Sequence, residues 1–491
     1  MNQSEFEKLA KDYSAIPVAR RCMADTLTPV SIFLSLREGA RYPFLLESVE
    51  GGEQVARYSF LGRDPFQILR FTKGQVTLER DGELEKLNTP YFEALRELTT
   101  RYREPELPDL PLLTGGAVGY SSYDTVREIE NLPDKNPDEI GLPDAIWAFY
   151  DEIVAFDHVK KQLVLIKTVF PEEYGSSDEA YQAAESALEH LENCLYSGQS
   201  RSEELKLDVT TLKSNTSKER FLEMVNKARK YIYEGDIFQV VLSQRFELPF
   251  EGDRFMLYRA LRMVNPSPYL FFLEFDHFSL VGSSPEVLVR VQKDKVQLLP
   301  IAGTRPRGSN REEDLQLEED LKRDPKEIAE HIMLVDLGRN DLSRVCRPGT
   351  VHLERNQVIE RYSHVMHIVS DVIGELSPDM DSVDSLKYCF PAGTVSGAPK
   401  IRAMEIIDEL EPSRRGVYAG AVGYFDYSGN MDTCIAIRTM VVTDQKVYIQ
   451  AGAGIVADSV PEREYDETRN KAGALIEALR IALSLNRNRR V

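Results

Sequence analysis

Two pairs of glutamates in the C-terminal half have a spacing suited to metal chemistry. Glu327 and Glu330 lie three residues apart in one predicted helix, and Glu464 and Glu467 lie three apart in another, with Lys471 four residues further on. Side chains at these spacings share a helix face. Carboxylate oxygens are ligands for Mg²⁺, so two such faces brought together would form a magnesium site. Either pair alone is more typical of a solvent-exposed helix face, and the interpretation depends on the two helices meeting.

Two histidines close together in the sequence are candidates for proton transfer. His364 and His367 fall in a predicted strand, and at a spacing of three they face opposite sides of it. A joint metal site is therefore not expected. Because imidazole titrates near neutrality, one of them could move a proton. The spacing alone does not decide which of the two does so, and His367 is one candidate.

A glycine-rich stretch, Ile449–Ile455, predicts a strand that runs into a loop before the last helix. Glycine allows a ligand to approach the backbone closely. Residues 452–457 also fit the loose dinucleotide pattern GxGxxA. That pattern requires a second strand with a ribose-binding acid, and the chain ends at Val491, which leaves no room for one. A dehydrogenase is therefore excluded.

Composition limits the class of protein. The 491 residues contain 80 acidic and 60 basic side chains, a formal charge of −20, which argues against a nucleic-acid partner. The five cysteines form no CxxC pair, which indicates reduced thiols rather than disulfides or a zinc site. No signal peptide and no membrane-length apolar run is visible, so we expect a cytoplasmic protein without membrane contact. No cysteine has a nucleophile context, so nitrogen taken from glutamine would have to be released by another chain.

The alternation of elements indicates an α+β fold rather than repeated βαβ units. A Ser-rich segment, Ser197–Leu205, predicts a linker. It divides the chain into residues 1–205 and residues 206–491. The second part opens with a predicted helix that has Thr216 as its N-cap and Glu219 completing a capping box. Predicted strands follow at Phe238–Leu248, Tyr269–Phe275, Leu280–Val291, Val296–Leu299, Val417–Tyr427, Met431–Val442 and Val447–Ala451, and predicted helices near Asp324–Asp336, Lys400–Glu409 and Pro461–Leu485.

Five motifs occur in one order: Pro300–Gly308, Ala329–Val345, Ser363–Ser370, Phe390–Lys400 and Ile449–Thr468. Together they resemble the chorismate-utilising enzyme family, and within it the synthase subunits of anthranilate synthases. The similarity is strong over the second part of the chain, whereas residues 1–205 resemble the family's more variable regulatory half. The resemblance implies an α+β fold with two large β-sheets packed as a sandwich and helices outside. It also implies that tryptophan is sensed by the first part and chorismate bound by the second.

The resemblance assigns a role to each candidate residue. It implies that Mg²⁺ is held by Glu330 and Glu467, with Glu327 and Glu464 in the same cluster, and that the metal holds the ring carboxylate of chorismate. The implied substrate residues are Tyr418, Arg438, Gly452, Gly454 and Lys471, with Arg438 gripping the pyruvyl carboxylate. The implied catalytic residues are His367 for pyruvate elimination, Glu286 as the acid that protonates the departing hydroxyl, and Thr394 in the site wall.

Two positions separate the relatives. Aminodeoxychorismate synthases have a nucleophilic lysine where this chain has Ala302, and isochorismate synthases have a water-activating lysine where it has Gln239. The resemblance therefore implies that ammonia adds to the ring and that anthranilate and pyruvate form through aminodeoxyisochorismate. Aminodeoxychorismate or isochorismate synthesis is the alternative within the family. An alternative of another class is a non-catalytic subunit that senses tryptophan or chorismate.

The resemblance also implies partners and regulation. The expected partner is a glutaminase subunit that supplies ammonia from glutamine, in a heterotetramer of two synthase and two glutaminase subunits. L-Tryptophan is the expected feedback inhibitor, because Leu45–Ser48 and Asn265–Tyr269 resemble the two segments of the family's inhibitor pocket. The implied tryptophan-binding residues are Glu47, Ser48, Pro268 and Tyr269.

Overall fold

Two large β-sheets form the centre of the protein. The computed structural model describes residues 1–48, 57–197, 204–361 and 365–488. Within these residues one sheet has 13 strands and the other has 12. The apolar faces of the two sheets pack against each other, and helices cover the outer faces. The predicted α+β sandwich is therefore confirmed.

The described strands contain between two and thirteen residues. They are β1 Ile16–Met23, β2 Phe44–Glu47, β3 Tyr58–Gly62, β4 Gln67–Thr72, β5 Gln75–Arg80, β6 Glu83–Leu87, β7 Gly116–Ser121, β8 Ala145–Tyr150, β9 Glu152–Asp157, β10 Gln162–Val169, β11 Lys206–Leu207, β12 Lys213–Ser214, β13 Gln239–Glu251, β14 Tyr269–Glu274, β15 Phe278–Ser284, β16 Val287–Gln292, β17 Lys295–Leu298, β18 Ile301–Pro306, β19 His352–Arg361, β20 Val365–Glu375, β21 Gly397–Ala398, β22 Ala421–Phe425, β23 Met431–Ile435, β24 Thr439–Thr443 and β25 Lys446–Ile455.

The helices lie between and outside these strands. They are α1 Gln3–Leu9, α2 Pro29–Arg37, α3 Tyr91–Thr99, α4 Ser177–Ser197, α5 Lys218–Tyr233, α6 Phe255–Val264, α7 Arg311–Arg323, α8 Pro325–Leu342, α9 Ser382–Cys389, α10 Lys400–Leu410 and α11 Pro461–Asn488. Among the described residues, no helix combines the length and the apolar character that crossing a bilayer requires.

Both parts of the chain contribute to both sheets. The first sheet runs β1-β10-β9-β3-β2-β14-β15-β24-β25-β13-β11, and the second runs β18-β20-β17-β16-β23-β22-β7-β8-β4-β5-β6. The first part of the chain joins the second by antiparallel pairing of β2 with β14 and of β22 with β7. Backbone hydrogen bonds therefore connect the two parts directly. The predicted boundary near residue 205 stays a prediction.

Several predicted elements differ from the observed ones in informative ways. The predicted strand Leu280–Val291 is two strands, interrupted at Pro285 and Glu286, and the predicted strand Met431–Val442 is interrupted before Thr439. Proline has no N–H to donate, and Arg438 has a φ of +50°, so neither fits a regular ladder. These interruptions place Glu286 and Arg438 outside the regular strands.

The predicted N-cap of α5 is wrong, and two other predictions concern residues outside the described ranges. Ser217, not Thr216, is the N-cap of α5, because its side chain accepts a hydrogen bond from the backbone N–H of Arg220. The hydroxyl of Thr216 bonds to Asn215 instead, so the predicted capping box does not form. His364 and most of the predicted linker lie outside the described residues.

The buried carboxyl of Glu104 is expected to make the stability of the folded protein depend on pH. The hydroxyl of Thr114 donates to it, and burial raises its pKa to about 8. The folded protein therefore keeps a proton that the unfolded chain releases above about pH 4.5, and stability falls as the pH rises from there to about 8. We expect Glu104→Gln to raise the melting temperature at pH 8.5 and to change it little at pH 5. The exposed Glu106→Gln is the matched control, and an equal shift at both pH values would contradict the account.

Candidate active site

The first glutamate pair is positioned by the start of α8. The side chain of Asp324 caps the helix by accepting from the N–H groups of Lys326 and Glu327, at 3.0 and 3.3 Å. This cap places Glu327 in the first turn and Glu330 one turn further along. Burial raises the pKa of Glu327, and the charge of Glu330 raises it further. The pair is thus a partly desolvated negative site rather than a fully solvated helix face.

The second pair lies on α11 and has the same character. Burial raises the pKa of Glu464, and Glu467 adds to the rise. Lys471 forms an ion pair with Glu467, at 2.7 Å. The charge of Lys326 on α8 also influences Glu464, so the starts of the two helices lie near each other.

Strands β13 and β25 lie between the two pairs. Gln239, the first residue of β13, donates from its side-chain amide to Glu330 at 3.5 Å. A Cβ placed on Gly454 would lie 2.6 Å from that amide nitrogen. Lys471 donates to the carbonyl of Gly452 at 3.1 Å. The two acidic helix faces therefore border one site, although they lie far apart in sequence.

The donor chemistry of this site fits Mg²⁺. Four carboxylates contribute oxygen donors, and repulsion within each pair, visible in the raised pKa values of Glu327 and Glu464, would be relieved by a divalent cation. Across the described ranges, however, no three or more His, Cys, Asp or Glu side chains are placed so that they could hold a metal ion. The four-carboxylate cluster is therefore not assembled by the side chains as they stand, and magnesium binding stays a prediction.

Gly452 and Gly454 lie within β25 rather than in the predicted loop. They pair with Ser243 and Val241 of β13, so the strand continues through the glycine-rich stretch. A Cβ on Gly452 would lie 2.6 Å from the hydroxyl oxygen of Tyr418. Because glycine has no side chain, Tyr418 can lie close to Gly452 and Gln239 close to Gly454. A larger residue at either position would displace those side chains.

Arg438 is a partly buried cation that forms no ion pair with a described side chain. Its pKa is lowered, mainly because burial disfavours the charged guanidinium. Within the described part of the chain it makes no salt bridge and no side-chain hydrogen bond, although Glu286 and Glu467 lie near enough to influence it. Its left-handed φ of +50° is unusual for a residue with a side chain. Such a group is prepared to bind an anion that enters the site.

Glu286 lies beside Arg438. Burial raises the pKa of its carboxyl, while Thr394 and the charges of Arg438 and Lys471 lower it in part. Thr394 lies in a single 3₁₀ turn, Gly393–Val395. Among the described residues, its buried hydroxyl has no partner at the distance and angle of a regular hydrogen bond. A carboxyl with a raised pKa next to an unpaired hydroxyl is suited to donating a proton.

His367 is held in one tautomer by a bulge in β18. The strand register shifts between Ala302 and Thr304, and Gly303 there has a φ of +69°. Its carbonyl oxygen lies 3.1 Å from Nδ1 of His367, and the hydroxyl of Thr304 lies 3.0 Å from the same nitrogen. Because a carbonyl can only accept, Nδ1 carries the proton and Nε2 is left as the basic nitrogen. Burial lowers the pKa of His367, so the ring is neutral at pH 7.

The contact between Thr394 and Glu286 predicts a shift in the pH profile. If protonated Glu286 acts as the acid, activity is lost as the pH rises through its pKa. Thr394→Val removes a group that lowers this pKa, so the alkaline limb should move to higher pH. The measurement is the rate against pH, expressed per concentration of unprotonated NH₃. Thr433→Val, at a buried threonine on β23, should leave the limb in place; a shift to lower pH in Thr394→Val would contradict the assignment.

A small cavity adjoins this wall of the site. It has a volume of about 50 Å³ and is lined by Glu286, Thr394 and mainly apolar side chains, among them Leu298, Leu334 and Leu337. A space of this size holds one or two molecules as small as water or ammonia.

Two supporting residues escaped the sequence analysis. Thr304 belongs to a motif that was recognised, but only the neighbouring Ala302 was used. Arg415 is fully buried, pairs with Glu411 at 2.7 Å, and donates to the carbonyls of Val241 and Val395. Its guanidinium also lies 5.5 Å from the ring centre of Tyr418. The spacing of Glu411 and Arg415 on the sequence is a signal for an ion pair, but not for its burial.

The predicted inhibitor residues lie on neighbouring strands. Glu47 of β2 is buried, and its carboxylate accepts from the hydroxyl of Tyr258 and pairs with Arg262 at 2.9 Å. The hydroxyl of Ser48 is buried and has no hydrogen-bond partner among the described residues. Tyr269, which follows Pro268, donates to Asp432 at 2.7 Å. Pairing of β2 with β14 brings the two segments together, while tryptophan binding stays a prediction.

Comparison with known proteins identifies the group to which this architecture is similar. Residues 42–477 match the family described as chorismate binding enzyme. The chain is 47% identical over 488 residues to anthranilate synthase component 1 of Acetivibrio thermocellus, with 97% of each chain covered. A relative of the same name from Aquifex aeolicus is 46% identical and covers 98% of both chains.

Solved structures show the same fold. The crystal structure of anthranilate synthase component I from Streptococcus pneumoniae superimposes with a TM-score of 0.78 at 37% identity, covering 93% of this chain and 99% of the other. The menaquinone-specific isochorismate synthase of Escherichia coli has a TM-score of 0.69 at 22% identity, covering 97% and 99%. At that identity the second likeness concerns the fold alone.

Proposed function

Because the chain belongs to the family of chorismate binding enzymes, we propose that it is the synthase component of an anthranilate synthase. It converts chorismate and ammonia to anthranilate and pyruvate, the first step of tryptophan biosynthesis. The observation that supports this most directly is the site itself. The charge of Arg438 influences the pKa of both Glu286, whose carboxyl has a raised pKa, and His367, whose ring is neutral.

Substrate binding follows from the charges of the site. Chorismate carries two carboxylates, and Arg438 offers a planar fork that suits the pyruvyl carboxylate. Tyr418, Lys471 and the backbone of Gly452 and Gly454 surround the same region. Bound Mg²⁺, held by Glu330 and Glu467 with Glu327 and Glu464 beside them, would neutralise the ring carboxylate.

Two residues then move protons. As ammonia adds to ring carbon 2 and the hydroxyl on carbon 4 leaves, Glu286 donates the proton that converts this hydroxyl to water. The added nitrogen loses one proton, which balances the proton given by Glu286, and the product of this step is aminodeoxyisochorismate. His367 Nε2 next takes the proton from carbon 2 as the bond between carbon 3 and the enolpyruvyl oxygen breaks. The enolpyruvyl group leaves as the enolate of pyruvate, which takes up a proton to form pyruvate, and the ring becomes aromatic.

The choice of nucleophile depends on two neutral side chains. Ala302, on β18 opposite Ile368, has no amine to attack the ring. Gln239 directs an amide toward Glu330, and an amide does not act as a base at neutral pH. Neither an enzyme-bound amine nor an activated water is therefore supplied by these positions, which favours ammonia over the chemistry of aminodeoxychorismate or isochorismate synthases.

The ammonia is proposed to come from a glutaminase partner, in a heterotetramer of two synthase and two glutaminase subunits. Burial raises the pKa of the thiols of Cys22 and Cys346 to about 11 and raises those of Cys389 and Cys434 as well. Such thiols are poor nucleophiles. Cys194 lies in α4, which packs on α1, α2 and β10, elements that carry none of the proposed substrate residues.

The choice of nitrogen source tests whether ammonia is released from glutamine by a partner subunit and not by this chain. We expect the purified chain to turn over chorismate with ammonium salt and to be inactive with glutamine until a glutaminase component is added. Turnover with glutamine by the chain alone would contradict the proposal. The control is the same preparation with ammonium, which shows that the synthase site is intact.

Feedback inhibition by L-tryptophan gives a further prediction. Ser48 contributes a buried hydroxyl without a partner among the described residues, and a large ring there would fill the proposed pocket. Ser48→Phe should retain ammonia-dependent activity and raise the inhibitory tryptophan concentration at least about tenfold, which corresponds to about 1.4 kcal/mol. Ser48→Ala, which adds no bulk, should show a smaller change. Unchanged inhibition of Ser48→Phe would remove Ser48 from the pocket.

A further inference from the structure

One line of backbone pairing connects the proposed inhibitor pocket with Arg438. Glu47 of β2 lies opposite Leu270 of β14, and Leu270 lies opposite Ser283 of β15. The N–H of Ser283 then donates to the carbonyl oxygen of Arg438, at 3.1 Å. At the usual strand spacing, Glu47 and Arg438 are separated by about 14 Å across the sheet.

The side chain of Ser283 contacts a different segment, Asn265–Tyr269. Its hydroxyl donates to the carbonyl of Asn265, and its oxygen lies 2.9 Å from the hydroxyl of Ser267. The side-chain amide of Asn265 also approaches it, at 3.3 Å. Ser283 is fully buried, so these contacts are not exchanged for water.

Ser283 therefore joins two elements with different proposed tasks. Its side chain is fixed to the segment Asn265–Tyr269, and its backbone is fixed to the residue that anchors substrate. Three residues later the same chain reaches Glu286. A displacement of the segment must either break the contacts of this buried hydroxyl or move the end of β15, and with it Arg438.

We propose that Ser283 is a positioning residue that couples the segment Asn265–Tyr269 to Arg438, so that a ligand in the pocket alters chorismate binding through this serine. The inference rests on the proposed function, in which tryptophan occupies the pocket and Arg438 binds chorismate. Because coupling is reciprocal, the effect of chorismate on tryptophan affinity measures it without turnover.

The test is calorimetric titration of the full chain with L-tryptophan, with and without saturating chorismate and Mg²⁺, in the absence of any nitrogen source. The ratio of the two tryptophan dissociation constants is the coupling factor. For the parent protein we expect at least about tenfold, within the usual range for coupled sites. In Ser283→Ala it should fall to within about threefold of unity, while tryptophan affinity without chorismate changes by less than about threefold.

Ser279→Ala is the matched control. Ser279 lies on the same strand and is equally buried, but its hydroxyl contacts Arg254 at 3.4 Å, away from the segment. This variant should keep the parent coupling factor. If Ser283→Ala does not fold, Ser267→Ala breaks the same link from the other side and should lower the factor.

The outcomes separate the inference from the function on which it rests. A parent-like coupling factor in Ser283→Ala, or in Ser267→Ala if only that variant folds, would overturn the role of Ser283 and leave tryptophan binding intact. Loss of tryptophan affinity in Ser283→Ala would overturn it too, since the serine would then belong to the pocket wall. If the parent binds no tryptophan, the proposed inhibition and the coupling both fail.

Discussion

Replacing His367 with glutamine is expected to stop pyruvate release while the first half of the reaction continues. Glutamine keeps a polar side chain on β20 but cannot take the proton from the aminated ring carbon. We expect anthranilate formation to fall by roughly 10²–10⁴-fold, the usual contribution of a positioned base. An amino compound that retains its enolpyruvyl group should accumulate instead, detectable by chromatography with mass measurement.

The matched control is His352→Gln. His352 is exposed on β19 and bonds only to the carbonyl of Thr350, at 2.7 Å. This variant should produce anthranilate at the parent rate. Equimolar anthranilate and pyruvate from His367→Gln at near-parent rate would show that another group removes the proton, and the assignment of Nε2 as the base would be wrong.

The second large effect is expected at Arg438. Arg438→Met removes a partly buried cation that forms no ion pair with a described side chain, so a substrate carboxylate would lose its proposed partner. Losing one partner of a buried charged hydrogen bond costs about 2–5 kcal/mol, which corresponds to a fall in kcat/KM of roughly 30- to 5,000-fold. Steady-state kinetics with chorismate and ammonium measure it.

Arg438→Lys is the informative companion. Lysine keeps the charge but not the planar fork, so an intermediate loss is expected, with KM raised more than kcat is lowered. Circular dichroism and melting curves show whether each variant is folded. A folded Arg438→Met with parent kcat/KM would remove Arg438 from the substrate site.

Much of the site could be foreseen from sequence because its parts are local. The glutamate spacing on α8 and α11, the placing of Lys471 on the face of Glu467 and the helix start at Asp324 depend on neighbouring residues and are found as expected. Helix faces of this kind follow from a fixed rise and turn. The strands that were predicted for the second part were also located to within a few residues, apart from the two interruptions, whereas β18 and β19 were not predicted.

The missing parts depend on tertiary contacts. Nothing in the sequence around Gly303 shows that a bulge turns its carbonyl toward His367, because the bulge is defined by pairing with β20. The burial of Arg415 is equally invisible, since its partners Val241 and Val395 come from distant elements. The continuation of β25 through Gly452 was missed because glycine favours a loop unless a neighbouring strand fixes it.

Both strand interruptions occur next to proposed functional residues, where the strand propensity of the sequence does not decide the backbone conformation. Leu280–Val291 and Met431–Val442 are apolar enough to suggest unbroken strands, and the structure interrupts both next to proposed site residues. Pro285 ends one ladder, and the left-handed backbone of Arg438 precedes the other. Strained or irregular backbone often marks functional positions, and such positions are those at which a periodic pattern fails.

The most direct test of the proposed function is the identity of the product made from chorismate. The purified full-length chain is incubated with chorismate, Mg²⁺ and ammonium salt at mildly alkaline pH, and products are separated by chromatography with fluorescence detection. The account predicts anthranilate and pyruvate in equal amounts. Isochorismate, 4-amino-4-deoxychorismate or an unaromatised amino compound would contradict the roles given to Gln239, Ala302 and His367, and no turnover by the folded chain would favour a non-catalytic sensing subunit.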